Sequence, residues 1–129
     1  MQLEQVFLNL CLNARDAVEG LRERSPRIDV VADLVADRAG QADFVRVTIT
    51  DNGTGMSEVV SERIFDPFYT TKEPGQGTGL GLSIVHGVTQ QHGGRVECES
   101  QQGEGTTMTV YLPVSSATLT PVTHDPASD

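Results

Sequence analysis

Four groups of residues in this chain could do chemistry. Asn9, Asn13 and Asp16, with Gln5, recur at spacings of three and four, which on a helix gathers them within about 80° as a narrow stripe of amide and carboxylate groups. Asparagine is a mediocre helix former, so two of them four apart suggest a cost accepted for a purpose. An amide oxygen is a hard, neutral ligand suited to Mg²⁺, which takes few protein groups and completes its shell with phosphates and water. Asp51 closes the alternating stretch Val45, Val47, Ile49, and the period of two puts its carboxylate on the apolar side. There it needs a partner. An exocyclic amine would serve, and the glycines of DNGTGM (51–56) would leave room for a flat ring. Lys72, the only lysine, follows FDPFYTT, which holds three of the six aromatic residues. Gly77, Gly79 and Gly81 alternate with Thr78 and Leu80 and run into an apolar helical pattern, which reads as a phosphate loop feeding a helix start. Neither of the two best-known phosphate-loop spacings is present. Each group also has a plain reading: a solvated helix face, an Asp-Asn-Gly turn, a loop anchored by aromatics, a glycine turn.

The elements that must position these groups follow from periodicity. Leu3 to Leu21 reads as an amphipathic helix with Leu3, Val6, Leu10, Ala14, Ala17, Val18 and Leu21 on one face, ended by Gly20 and the RERSPR stretch. Ile28–Val35 and Phe44–Asp51 read as strands around a polar turn. Ser57 can cap a short helix to about Ile64, and Thr70–Thr78, with proline and glycines, reads as a mobile flap. A helix from about Leu80 to His92 stops at Gly93 and Gly94, and Arg95–Ser100 and Thr106–Leu112 form a hairpin ended by Pro113. His92 is most simply a helix-dipole partner, and His86 a surface or partly buried residue.

A chain of 129 residues, 37% apolar, is one domain with a single core. The net charge of −9 and the absence of any Lys or Arg run exclude nucleic acid and anionic membrane surfaces as partners. Cys11 and Cys98 share no metal-ligand spacing and make no disulfide framework, which suits a reducing cytoplasm. No stretch is long enough for a membrane span, so an anchor of any parent protein would lie outside it. Residues 114–129 are rich in Thr, Ser, Pro and Ala without periodicity, and read as a linker or disordered tail.

In order, the chain carries NLCLNARDA (9–17), DNGTGM (51–56), IFDPFYTTK (64–72) and GTGLGLSIV (77–85), closing with GEGTTMTVYLP (103–113). These closely resemble the N, first G, F and second G boxes of the ATP-binding catalytic domain of sensor histidine kinases, over roughly residues 2–113. The resemblance implies an α+β fold of the Bergerat ATP-binding type, shared with gyrase, mismatch-repair and heat-shock ATPases: a two-layer α/β sandwich with helices over one face of a mixed sheet. The family domain begins with a strand and helix upstream of the N box, so the resemblance also implies that these are missing here.

Residue by residue, the resemblance implies that Asn13 binds Mg²⁺, with Asn9 and Asp16 in the same stripe and Arg15 near the phosphates. Asp51 would accept from the adenine amine, with Gly53 and Gly55 making space for the ring and Thr106 near the adenine end. Gly77, Thr78, Gly79, Leu80 and Gly81 would form the phosphate-side loop, and Lys72 a phosphate contact from the flap. ATP and Mg²⁺ are the implied cofactors. The implied partners are a histidine-bearing helical dimerisation domain of the same or a sister chain and a downstream response regulator or receiver domain. None of His86, His92 or His124 sits in a phosphoacceptor context, so the chain reads as half of a protein-histidine kinase, cytoplasmic, whose parent could be membrane-anchored. The alternatives are a nucleotide-binding regulatory module without kinase activity, and a serine kinase or ATPase of the same superfamily.

Overall fold

A computed structural model of the chain describes residues 2–36, 43–66 and 81–114. In order these form helix α1 (Gln2–Val18), strands β1 (Ile28–Ala36) and β2 (Asp43–Asp51), the short helix α2 (Glu58–Ser61), helix α3 (Gly81–Gln91), and strands β3 (Arg95–Gln101) and β4 (Gly105–Val114). The flap at 70–78, Lys72, the loop at 77–80 and the tail from 115 lie outside the described residues.

α1 forms where apolar residues recur every three to four positions, and Val6, Leu10, Ala14 and Val18 on that face are all buried. It ends at Val18, one turn short of the expected Leu21, because Gly20 takes a left-handed φ of +83° and Leu21 N–H turns back to the Val18 carbonyl. Ser57 caps α2 as expected, its Oγ accepting from Val60 N–H. Gly93, at φ +79°, ends α3, with Gly94 N–H returning to the Thr89 carbonyl.

The four strands lie in the order β1-β2-β4-β3, and each of the three pairings is antiparallel. Among the described residues the sheet is therefore antiparallel where a mixed one was expected. The reason is topological. β2 and β3 run the same way, joined across the sheet by α2 and α3, but β4 returns by a hairpin and inserts between them, turning one parallel neighbour relation into two antiparallel ones. β4 also continues through Pro113, which was expected to end it. β3 stops at Arg95, opposite Tyr111, so beyond that point β4 has β2 as its one strand neighbour and a missing N–H is tolerated.

α1 and α3 pack on one face of the two central strands. The core joins Val6, Leu10 and Ala14 of α1, Val85 of α3, Ile49 of β2, Met108 and Val110 of β4, and Ile64 after α2. Burying one such large aliphatic side chain contributes about 1.5–3 kcal/mol. The helices stop short of β1, whose Val30 shares a pleat side with Ile49 yet stays 57% exposed. Arg46 grips Asp33 across the β1–β2 register through two hydrogen bonds, holding the Asp33 carboxyl below the usual carboxylate range.

Candidate nucleotide site

The polar stripe of α1 lies on the flank of the helix, between its buried side and its solvent side, so Asn9, Asn13 and Asp16 are all half-buried. Asn9 is tied at both ends of its amide. Its oxygen accepts from Gln5 Nε2 at 3.2 Å, and its Nδ2 donates to the Gly81 carbonyl, the first residue of α3, at 3.2 Å. Asn13 makes no hydrogen bond among the described residues. Its amide oxygen is therefore free for a ligand, and a neutral hard oxygen is of a kind that fits Mg²⁺. No cluster of three metal-ligating His, Cys, Asp or Glu side chains exists among the described residues. Arg15 stands apart from the stripe. It follows Asn13 by about 200° of helical rotation, its side chain is 64% exposed, and it pairs with Asp16 at 3.3 Å.

Asp51 is 7% exposed at the end of β2, on the same pleat side as buried Ile49. Its Oδ1 accepts from Gly53 N–H at 2.8 Å. Burial pushes the carboxyl above its ordinary range, opposed by the Gly53 and Thr106 backbone N–H groups. Thr106 is its register partner on β4, also buried, and the Thr106 hydroxyl lies 2.8 Å from Ser100 Oγ. Ser100 Oγ in turn accepts from Met56 N–H at 2.8 Å, so it ties the glycine loop to the hairpin. Sequence reasoning missed Ser100. The signal was there, since the period of two in Arg95–Gln101 puts Ser100 on the inward side with Val96 and Cys98. The Cys98 thiol is pushed up to about 11 by burial, with the Asp51 and Glu99 charges adding to it.

The glycines of DNGTGM have a packing duty within the chain. A side chain at Gly53 would run into the Ala17 carbonyl and Cβ of α1, and one at Gly55, where φ is +68°, into the Gln101 carbonyl. Both positions let backbone meet backbone. Thr54 N–H donates to the Ala17 carbonyl at 3.2 Å, and Gly103 N–H to the Thr54 carbonyl at 2.7 Å. At Gly81, by contrast, an added Cβ meets nothing within 4 Å among the described residues.

These contacts set an order along α1. The loop that follows Asp51 touches Ala17, Asn13 lies one turn earlier on the same side, and Asn9 lies one turn earlier again, against the start of α3. At 1.5 Å per residue the track from Ala17 to Asn9 is about 12 Å long. It joins a buried carboxylate acceptor at one end to a helix N-terminus at the other. His86 packs on the Phe65 ring at 5.6 Å, and His92 is exposed at the end of α3. Among the described residues no helix is long and apolar enough to cross a membrane.

The profile of the family described as histidine kinase-, DNA gyrase B-, and HSP90-like ATPase matches residues 1–116. The sensor kinase CckA of Brucella abortus is 48% identical over 117 residues, covering 87% of this chain and 12% of that protein. The sensor histidine kinase ZraS of Escherichia coli is 39% identical over 114 residues, covering 88% and 22%. The chain thus spans less than a quarter of the length of these curated relatives. Among solved structures, the mycobacterial sensor histidine kinase MprB superimposes with a TM-score of 0.71 at 25% identity, covering 87% of this chain and 72% of that one. The catalytic domain of histidine kinase ThkA superimposes with a TM-score of 0.67 at 31% identity, covering 87% and 67%. The matched residues, the two-layer fold and the order of the boxes agree: this chain belongs to the histidine kinase-, DNA gyrase B- and HSP90-like ATPase family, as an ATP-binding catalytic domain of the sensor-histidine-kinase type.

Proposed function

We propose that residues 1–113 bind Mg·ATP and donate its γ-phosphoryl group to a histidine carried by a separate helical dimerisation domain of the same or a sister chain. A response regulator or receiver domain would be the next acceptor, and the residues that follow Val114, the last of β4, would lead towards it as a linker. The observation that carries the reading is Asp51: a carboxylate 7% exposed, with one oxygen engaged by a backbone N–H, at the foot of a polar track that ends on a helix start. Such a group costs stability unless something accepts from or donates to it, and an exocyclic adenine amine is a donor of the right kind.

In this reading the base lies against Asp51 and Thr106, and the phosphates lie towards Asn9, Asn13 and the α3 N-terminus at Gly81, where the helix dipole favours anions. Asn13, through its amide oxygen, would hold Mg²⁺. Bound there, the ion would neutralise charge on the transferring phosphoryl group. Asp16, half-buried in the same stripe, borders the phosphate side. Lys72 and the loop Gly77, Thr78, Gly79 and Leu80 would close over the phosphates from positions outside the described residues. Arg15, on the solvent side of α1, would serve only by reaching round the helix. Free Cys11 and Cys98 accord with a cytoplasmic setting, where ATP is abundant.

Radiolabelled ATP tests the reading directly. The chain alone should incorporate no label, and adding a helical domain that carries the acceptor histidine should produce acid-labile phosphohistidine on that domain. Acid-labile label on His86 or His92, or no Mg·ATP binding by the chain, would overturn it.

A further inference from the structure

The connection between α1 and β1 grips the loop that follows Asp51. Arg24, half-buried there, donates from Nε to the Asn52 carbonyl at 2.8 Å and from Nη2 to the Gly53 carbonyl at 2.7 Å. Asn52 reaches back: its Oδ1 accepts from Arg27 N–H and its Nδ2 donates to the Ser25 carbonyl, each at 2.8 Å, and its own N–H donates to the Arg27 carbonyl at 3.2 Å. The exposed arginines Arg15, Arg27, Arg63 and Arg95 pair with carboxylates one to three residues away in sequence. The bonds Arg24 makes go to two successive carbonyls instead.

One peptide group links Arg24 to Asp51. The Asn52 carbonyl that accepts from Arg24 and the Gly53 N–H that donates to Asp51 Oδ1 are two ends of the same amide. An Asn-Gly turn peptide flips readily, because glycine tolerates both signs of φ. After a flip the Asn52 carbonyl would face the Asp51 carboxylate, acceptor against acceptor. A guanidinium on that carbonyl opposes the flip and polarises the amide, which makes its N–H a better donor. The planar fork matters, since Nε and Nη2 meet two carbonyls at once, and an ammonium has no such edge.

We propose that Arg24 is a positioning residue for base recognition: it fixes the Asn52–Gly53 peptide so that Gly53 N–H stays on Asp51 Oδ1 and the carboxylate keeps one orientation towards the base. The proposal rests on the nucleotide reading above, which its test keeps separate. Arg24→Ala and Arg24→Lys should both reduce the ADP-to-GDP affinity ratio by about 5- to 10-fold, because the charge without the fork does not hold both carbonyls. In an Asp51→Ala background, Arg24→Ala should change that ratio no further. In the nucleotide-free protein, amide exchange at Gly53 should speed up in both Arg24 variants.

A variant that melts lower yet keeps the wild-type ratio makes Arg24 merely structural and overturns the proposal. So does an additive loss in the double variant, or unchanged Gly53 exchange. A wild-type chain with no ADP preference, together with faster Gly53 exchange in the variants, removes the base reading, and the positioning role with it, while leaving the brace itself in place.

Discussion

Asn9 Nδ2 donates to the carbonyl oxygen of Gly81, 3.2 Å away and 72 residues further along the chain, so the polar edge of α1 is fastened to the first residue of α3. The bond gives Asn9 a structural role and leaves Asn13, one turn on, as the amide with no internal partner among the described residues. Substitution should separate the two. Asn9→Ala should cost about 0.5–1.5 kcal/mol of stability through the lost hydrogen bond. Asn13→Ala should keep or slightly raise stability, alanine being the better helix former, while Mg²⁺-dependent ADP binding is lost. Thermal melting and calorimetry with Mg·ADP and metal-free ADP decide it, and equal Mg²⁺ dependence in wild type and Asn13→Ala would exclude Asn13 as the metal ligand.

Asp51 should read the base. A hydrogen bond to a charged group contributes roughly 1.5–3 kcal/mol, so Asp51→Ala should weaken ADP binding by about 10- to 150-fold and shrink the preference over GDP by a similar factor. Titrating both nucleotides against both proteins checks it. An unchanged ADP-to-GDP ratio would place the base elsewhere.

The same carboxylate should cost the empty protein stability at neutral pH. Its folded pKa lies above the unfolded value because burial disfavours the charged form, so the native state is favoured below the unfolded pKa and loses that advantage as pH rises through the folded one. Asp51→Asn keeps an oxygen for Gly53 N–H and removes the charge. Its melting temperature should therefore exceed the wild type's at about pH 7.5, and the gap should close as pH falls through the carboxylate range near 4. A gap that stays constant with pH would mean that the buried charge is not its cause.

The cysteines should differ sharply in reactivity. With its thiol pushed up to about 11, Cys98 holds only about one part in a thousand of thiolate at pH 8, and it packs against the core. Cys11 is exposed on α1. Mass spectrometry of iodoacetamide-treated native protein should find Cys11 alkylated first and Cys98 only after unfolding. Comparable native rates would mean the inward face of β3 is open to solvent.

Leu10 and Leu8, two positions apart on α1, should respond oppositely to truncation. Leu10 is 1% exposed in the core and Leu8 is 54% exposed. Leu10→Ala should cost about 2–5 kcal/mol in chemical denaturation, and Leu8→Ala within about 0.5 kcal/mol of nothing. A large loss at Leu8 would put a packing partner on the outer side of α1.

The sequence by itself determined the elements and the chemistry of the site. The three-and-four spacing from Val6 to Val18 sets the buried side of α1 and leaves Asn9, Asn13 and Asp16 on one flank, because both follow from the same 3.6-residue period. The period of two in β2 likewise put Asp51 inward with Ile49 before any partner was known. What spans the chain was decided only by tertiary structure, since local periodicity carries no record of which distant backbone will approach. The insertion of β4 between β2 and β3 made the sheet antiparallel. The close packing of Gly53 on Ala17 and of Gly55 on Gln101 gave those glycines a backbone reason that the sequence did not show. The fastening of Asn9 to Gly81, the hydroxyl pair of Ser100 and Thr106, and the grip of Arg24 on two carbonyls each join residues more than five positions apart. Their meeting depends on how the helices settle on the sheet, a packing outcome that residue types restrict without fixing.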